Sequence, residues 1–150
     1  MQLSSSIEIE ATADEVWSVL TDFDAYSEWN PTIFKSEGEA RVGARLAHQM
    51  RRQGGGSVSL RPRVLVADPG RELRWLGHLL LPGIFDADHR FLIEEVEAGR
   101  VRLTQAEKLS GVMVPFMRGL GESTTAGFEA MNAALKERTE ARARQMEGAR

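Results

Sequence analysis

Met113, Met117, Leu120, Thr124, Phe128, Met131 and Leu135 recur at steps of four, three, four, four, three and four. That is one face of a long α-helix. The spacing predicts a helix from Gly111 to about Arg144, entered at Ser110-Gly111, with Pro115 in a first turn that tolerates it. About thirty residues rising 1.5 Å each make a rod of roughly 45 Å. Its apolar face cannot stay uncovered, so it needs a sheet. Gly119, Gly121 and Gly127 interrupt its first half, and each costs about 1 kcal/mol against Ala in a helix interior. Close packing against another element would account for them, and so would the wall of an internal cavity.

Upstream the period falls to two. Leu3, Ser5, Ile7 and Ile9 alternate with polar neighbours, as in a half-buried strand. Thr12-Ala13-Asp14-Glu15 is a capping box. The short helix it opens turns Val16, Trp17 and Leu20 inward. Thr21-Asp22 can cap a second short helix that holds Phe23 and Tyr26 and carries Trp29 beside them, and Asn30-Pro31 ends it. From Thr32 to Leu109 the pattern predicts strands at about 32–38, 44–52, 57–67, 71–80, 84–96 and 100–109. The separators are Arg41-Val42-Gly43, Gln53-Gly54-Gly55-Gly56, Asp68-Pro69-Gly70, Pro82-Gly83 and Glu97-Ala98-Gly99, all turn chemistry. Short loops make the neighbours antiparallel. The fold class is α+β: a seven-stranded curved antiparallel sheet against a long C-terminal helix, with two short helices after the first strand. The expectation is one domain over 1–150, with 145–150 a frayed tail.

Composition narrows the function classes. The chain has 150 residues, enough for a real core, and 42% of them are hydrophobic. A net charge of -3 gives no global basic field for nucleic acid or membrane. The absence of cysteine removes disulfides, thiol nucleophiles and thiolate metal sites. The N-terminus lacks the basic start and apolar run of a signal peptide, and no apolar stretch approaches a membrane span. The expected location is cytoplasmic. Gly54-Gly55-Gly56 is not a phosphate loop, because no Lys-Ser/Thr follows; it reads as a hairpin tip able to cover a pocket mouth. No Gly-x-Ser-x-Gly and no dinucleotide fingerprint occurs.

Three segments carry a family resemblance. The first is Ile7-Glu8-Ile9-Glu10-Ala11 running to Val16-Trp17, then Leu20-Thr21-Asp22-Phe23, Tyr26 and Trp29-Asn30-Pro31. The second is Arg71-Glu72-Leu73-Arg74-Trp75. The third is His89-Arg90-Phe91, then Arg102-Leu103-Thr104-Gln105-Ala106-Glu107 and Ser110-Gly111. With the order of elements, they resemble the helix-grip (SRPBCC) superfamily: START lipid-binding domains, birch-pollen-allergen-type proteins and, nearest, the bacterial polyketide cyclase/dehydrase-like branch. Relatives often carry an aromatic where this chain has Leu109 before Ser-Gly. The resemblance implies a curved sheet gripping the long helix, an apolar cavity between them, and binding of a hydrophobic or aromatic small molecule, lipid or polyketide-like. It does not imply cyclase chemistry.

Alternation assigns the cavity-facing residues: Leu46, His48 and Met50; Val58, Leu60, Pro62, Val64 and Val66; Leu73, Trp75, Gly77 and Leu79; Phe85, Ala87, His89, Phe91 and Ile93; Val101, Leu103, Gln105, Glu107 and Leu109. The polar members are the anomalies. A hairpin centred on Ala98 sets His89 opposite Glu107 and Phe91 opposite Gln105. A turn at Pro82 sets Trp75 opposite His89. Turns near Pro69 and Gly55 would continue the row to Pro62 and His48, about 14 Å from His89 along the sheet. Pro62 is awkward in an interior strand and suggests a bulge.

His89 and Glu107 are therefore the candidate polar site, since a carboxylate facing an apolar space needs a partner. They can be a buried pair joining two strands, an anchor for a ligand hydroxyl or carbonyl, or an acid/base dyad for enolisation. The candidate ligand-binding set is His48, Met50, Trp75, His89, Phe91, Gln105 and Glu107 on the sheet, with Met113, Met117 and Leu120 on the helix. Three histidines without ligand spacing argue against a metal, and no cofactor is expected. The expected partner is a hydrophobic small molecule rather than nucleic acid, and a homo-oligomer is compatible with the sequence. Two alternatives accompany the binding reading. One is a cyclase/dehydratase with His89 and Glu107 as proton movers. The other is a partner-binding domain of the Hsp90-activator type, which would need a large exposed apolar patch; the polar outer phases of the strands contain none.

Overall fold

A computed structural model of the chain describes residues 1–52 and 55–149. In order, it has β1 (Gln2–Ile9), α1 (Ala13–Thr21), a 3-10 helix (Phe23–Glu28), β2 (Ile33–Glu37), β3 (Ala47–Arg51), β4 (Ser57–Leu60), β5 (Arg63–Asp68), β6 (Glu72–Leu79), β7 (Phe85–Glu97), β8 (Arg100–Ser110), a second 3-10 helix (Val114–Phe116) and α2 (Leu120–Gly148). This is the helix-grip arrangement: a curved antiparallel wall with the long C-terminal helix against it. No helix among the described residues is long and apolar enough to cross a membrane.

The wall is built differently from the expected seven-stranded sheet. Five strands form one sheet in the order β1-β8-β7-β6-β5, and three form another in the order β2-β3-β4. The predicted strand 57–67 is broken at Arg61-Pro62 into β4 and β5. Proline has no N–H to give to a ladder, so the break falls where it stands. The two sheets still meet. Leu46 N donates to Pro62 O at 2.8 Å, Val64 N donates to Ala44 O at 2.9 Å, and Arg45 bridges to Arg63. The wall therefore bends at this seam without opening. A second irregularity in β5, between Val64 and Val66, sets Ala67 opposite Leu73. Ala67, not Val66, takes the inward phase.

The first helices follow their local signals. Thr12 and Glu15 make the reciprocal capping box, at 3.2 and 2.9 Å. α1 buries Val16, Val19 and Leu20 and leaves Trp17 half-buried. Asp22 stands at the start of the 3-10 helix but makes no side-chain cap. Asn30 closes the segment, its side-chain oxygen accepting from the backbone N–H groups of Thr32 and Ile33, both at 2.9 Å. Trp29 is half-buried and packs edge-on to Tyr26.

The long helix begins at Leu120, nine residues later than its apolar spacing predicts. The reason lies in two backbone conformations. Gly111 has φ +115° and Gly119 has φ +72°, and a right-handed helix cannot pass through either. Between them Pro115 sits in the short 3-10 helix. Met113 and Met117 thus precede α2 and are not on its face. Gly121 and Gly127 do lie within α2, and there they serve close approach: Gly121 faces Leu3 and Met1, and Gly127 faces Thr32. Thr32 Oγ1 donates to Gly127 O at 3.0 Å, tying β2 to the helix. The buried face of α2 is Phe128, Met131, Asn132, Leu135 and Thr139, and the helix runs to Gly148, past the Arg144 expected from sequence.

A Cβ on Gly111 would stand 2.4 Å from the carbonyl oxygen of Ile84, and its φ is one that side chains avoid. Gly111→Ala is expected to destabilise the chain by about 1–3 kcal/mol, read as a lower urea midpoint with an unchanged slope. An unchanged midpoint would mean that the β6–β7 turn does not lean on this glycine.

Candidate functional site

The register of β6, β7, β8 and β1 places Trp75 opposite His89, His89 opposite Glu107, and Glu107 opposite Leu3. The next row inward holds Leu73, Phe91, Gln105 and Ser5. The pairings among β6, β7 and β8 are the ones that turn chemistry at Pro82-Gly83 and Ala98-Gly99 predicts; the pairing of β8 with β1 was not legible in the sequence. His89 Nδ1 lies 2.7 Å from Glu107 Oε2, and His89 Nε2 lies 3.0 Å from Gln105 Oε1. Gln105 Nε2 donates to Asn132 Oδ1 at 2.6 Å and to Phe128 O at 3.3 Å. Asn132 Nδ2 donates to Ser5 O at 3.3 Å. One polar chain therefore runs from Glu107 through the sheet face to α2 and back to β1.

Aromatic rings close around its middle. His89 stacks on Trp75 with centroids 5.3 Å apart and planes 13° apart, and Phe128 meets it edge-on at 5.0 Å. Phe91 fills the remaining side at 4.7 Å. The His89 side chain is 8% exposed and that of Glu107 12%.

His48 stands elsewhere than expected. It pairs with Leu60, not Pro62, and Trp75 pairs with Val64, because the break and bulge shift the register of that part of the wall. Pro62 lies instead against Gly77. The wall bends enough that His48 reaches Trp75, centroids 4.7 Å apart and edge-on, far closer than a flat sheet allows. Its Nδ1 is 2.8 Å from Ser36 Oγ, and its Nε2 has no partner among the described residues. Burial, with a smaller contribution from nearby His89, pushes its pKa down to about 3.

The candidate set thus divides. His48, Trp75, His89, Phe91 and Gln105 are buried against one another and form a packed floor. Met50, Glu107, Met117 and Leu120 are half-buried, and Met113 is exposed. One row nearer Ser110, Gly77, Ala87 and Leu109 follow, then Leu79 and Phe85. Ala87, Leu79, Phe85 and Leu3 carry the inward phase yet stay half-buried, so solvent reaches this end of the wall. The turn after β6 and the lead-in to α2 border it. Val112 N donates to Gly83 O and Met113 N to Ile84 O, both at 3.0 Å. Together these segments expose Leu80 (73%), Leu81, Val112, Met113 and Phe116 (83%). Strand alternation does not speak for loops, which is why the sequence showed no such patch. The flap reading of 54–56 falls partly outside the described residues. A surface groove of about 530 Å³ lies mainly on the other face of the sheet, with Leu3 and Glu107 at its margin. Ala106 leaves it a low floor between Arg74, Asp88, Arg90 and Lys108. That charged lining does not suit an apolar guest.

Asn132 was not legible as a site residue. Its one signal is an amide four residues after Phe128 and beside Met131, on the stripe that faces the core.

The family model described as polyketide cyclase / dehydrase and lipid transport matches residues 1–140. No curated protein matches the sequence. Among solved structures, a Mesorhizobium loti protein is 20% identical, with 91% of this chain and 95% of that one aligned at a TM-score of 0.71. A START superfamily protein from Mycobacterium smegmatis is 20% identical over 97% and 98%, TM-score 0.69. The Zhui aromatase/cyclase from a Streptomyces species is 18% identical over 95% of each chain, TM-score 0.70. At these identities the likeness is one of fold.

Two outcomes are expected of this site. The folded pKa of His48 lies below its unfolded value near 6.5, so the unfolded chain takes up that proton first. Stability is complete above about pH 6.5 and drains as pH falls toward 3, by up to about 1.4 kcal/mol per pH unit. Asp88, held down by Arg74, and Asp86, held down by His78, add their loss only below the ordinary carboxylate range. Urea titrations of wild type and His48→Gln between pH 7 and about 4.5 should diverge, the variant being flatter; parallel curves would refute the buried neutral imidazole. Separately, Asn132→Leu removes a partner from Gln105 and from Ser5 O, and is expected to cost about 1–3 kcal/mol. A neutral result would mean that water replaces the amide.

Proposed function

Because the chain belongs to the polyketide cyclase/dehydrase and lipid transport family, we propose that it binds a hydrophobic or aromatic small molecule, lipid or polyketide-like, between the sheet and α2. The observation that carries this reading is the Glu107–His89 pair at 2.7 Å on the inner wall. Beside it lie Ala87, Leu79 and Phe85, inward in phase yet half-buried. In the first turns of α2, Leu120 and Thr124 are half-buried as well. An apolar guest lying there gains burial worth about 25 cal/mol per Å², and the polar pair fixes its orientation.

The second reading is a cyclase/dehydratase in which Glu107 and His89 move protons of a carbonyl chain. The hydrogen-bonded dyad and the likeness to an aromatase/cyclase support it. An acid/base role needs the reacting carbonyl within about 3 Å of one of these groups. His89→Ala then abolishes turnover, whereas a binder keeps its ligand with a modest loss. The exposed Leu80, Leu81, Val112, Met113 and Phe116 favour the third reading, docking of a partner protein in the manner of an Hsp90 activator. That reading places no small molecule inside.

Native mass spectrometry of protein purified from its own source is expected to show a co-purifying small molecule. A library of lipids and aromatic compounds is expected to contain members that raise Tm by several degrees, the effect of a ligand at a hundred times its Kd on a chain of this size. A bare mass together with a flat thermal screen would remove the binding reading.

A further inference from the structure

The donors and acceptors of the buried polar chain have one consistent assignment. Two backbone carbonyls fix it, because a carbonyl can only accept. Phe128 O faces one end of the Gln105 amide, so that end is the nitrogen. Ser5 O faces one end of the Asn132 amide, so that end is also the nitrogen. Asn132 then offers its oxygen to Gln105 Nε2. Gln105 is left with its oxygen toward His89, so His89 Nε2 donates. Glu107 Oε2 faces His89 Nδ1, and with Glu107 ionised Nδ1 donates as well. Both ring nitrogens are spent as donors. The ring faces and edges are spent too, on Trp75, Phe128 and Phe91.

Glu107 is different. Its Oε2 holds His89, but no hydrogen bond among the described residues reaches its other oxygen. That oxygen is not among the walled-in unpartnered atoms, so a guest can approach it. It is a carboxylate oxygen and can only accept.

We infer that the guest of this site is an apolar ring compound bearing a hydroxyl, phenolic or enolic, that donates to Glu107 Oε1, and that His89 holds the carboxylate without touching the guest. This rests on the small-molecule reading above and sharpens it. A bare ketone finds no donor in the dyad. The specificity follows from what the pair has left to offer, and Gln105 and Asn132 act by setting that remainder.

The test is a matched set of probes: 2-naphthol, its methyl ether 2-methoxynaphthalene, and the ketone 2-acetylnaphthalene. Their size and apolar surface are similar, and only the first donates. Binding to the full chain is followed by titration calorimetry. A hydrogen bond to a charged acceptor predicts that 2-naphthol binds about tenfold or more tightly than either of the others. Glu107→Gln supplies the second arm. Its amide oxygen can keep His89 while its NH₂ replaces the free carboxylate oxygen. The preference should vanish or turn toward the ketone, with circular dichroism reporting an unchanged fold. Equal affinities of naphthol and ether for the wild type would overturn this inference and leave the binding reading standing. Retention of the full naphthol preference in Glu107→Gln would also overturn it. Failure of all three probes, with a flat thermal screen, would overturn both.

Discussion

The ladder between β7 and β8 is the constraint on which the rest of the structure depends. Its hairpin turns at Ala98-Gly99, where Gly99 supplies φ +78°, and from there the pairing runs to Asp86 and Ser110. Side chains alternate, so a slip by one residue would turn His89 and Phe91 to solvent and bring Asp88 and Arg90 inside. Both faces resist the slip. On the outer face Arg74 grips Asp88 through Nε at 2.8 Å and through a second nitrogen. On the inner face His89 grips Glu107. A buried ion pair adds little net stability against an apolar substitute, yet breaking one is expensive. Its contribution is therefore to make one register much better than its neighbours.

That same ladder explains which parts of the structure could be read from sequence. Trp75, His89, Glu107, Phe91 and Gln105 fall where compact turns and strict alternation put them, because nothing between the turns disturbs the count until the bulge at Glu95 and Glu97. The other side of the wall resisted. The bulge at Val64 and the break at Pro62 each shift the count, so His48 could not be placed by adding residues. The start of α2 resisted for another reason. Apolar steps of three and four continue through Met113 and Met117, but Gly111 sits against Ile84 in a tertiary contact that no local window contains. Asn132 was missed because an amide on an apolar stripe only acquires meaning once Gln105 and Ser5 face it.

A wall built only for packing would not look like this one. The floor is rigid: Trp75, His89, Phe91 and Phe128 interlock, and the amides of Gln105 and Asn132 fix the imidazole from behind. In the row next to the pair, Pro62 covers Gly77, while Ala87 stays half-buried. A core under pressure to exclude water fills such positions with branched aliphatics. Beside Ala87 stands a carboxylate oxygen of Glu107 that no hydrogen bond among the described residues reaches.

The border of this end of the wall is of a different character. The turn at 80–84 and the lead-in at 111–119 are joined to each other by backbone bonds from Val112 and Met113, while Leu80, Leu81 and Phe116 project outward with most of their surface in water. Exposing such side chains is unfavourable for the free protein, and that cost is recovered only when something apolar covers them. A fixed acceptor behind and an uncovered apolar rim in front place two demands on one guest: a donor at one point and apolar surface over the rest. A partner protein resting on the rim meets the second demand without the first, and a small polar metabolite meets the first without the second. An apolar ring compound bearing a hydroxyl meets both.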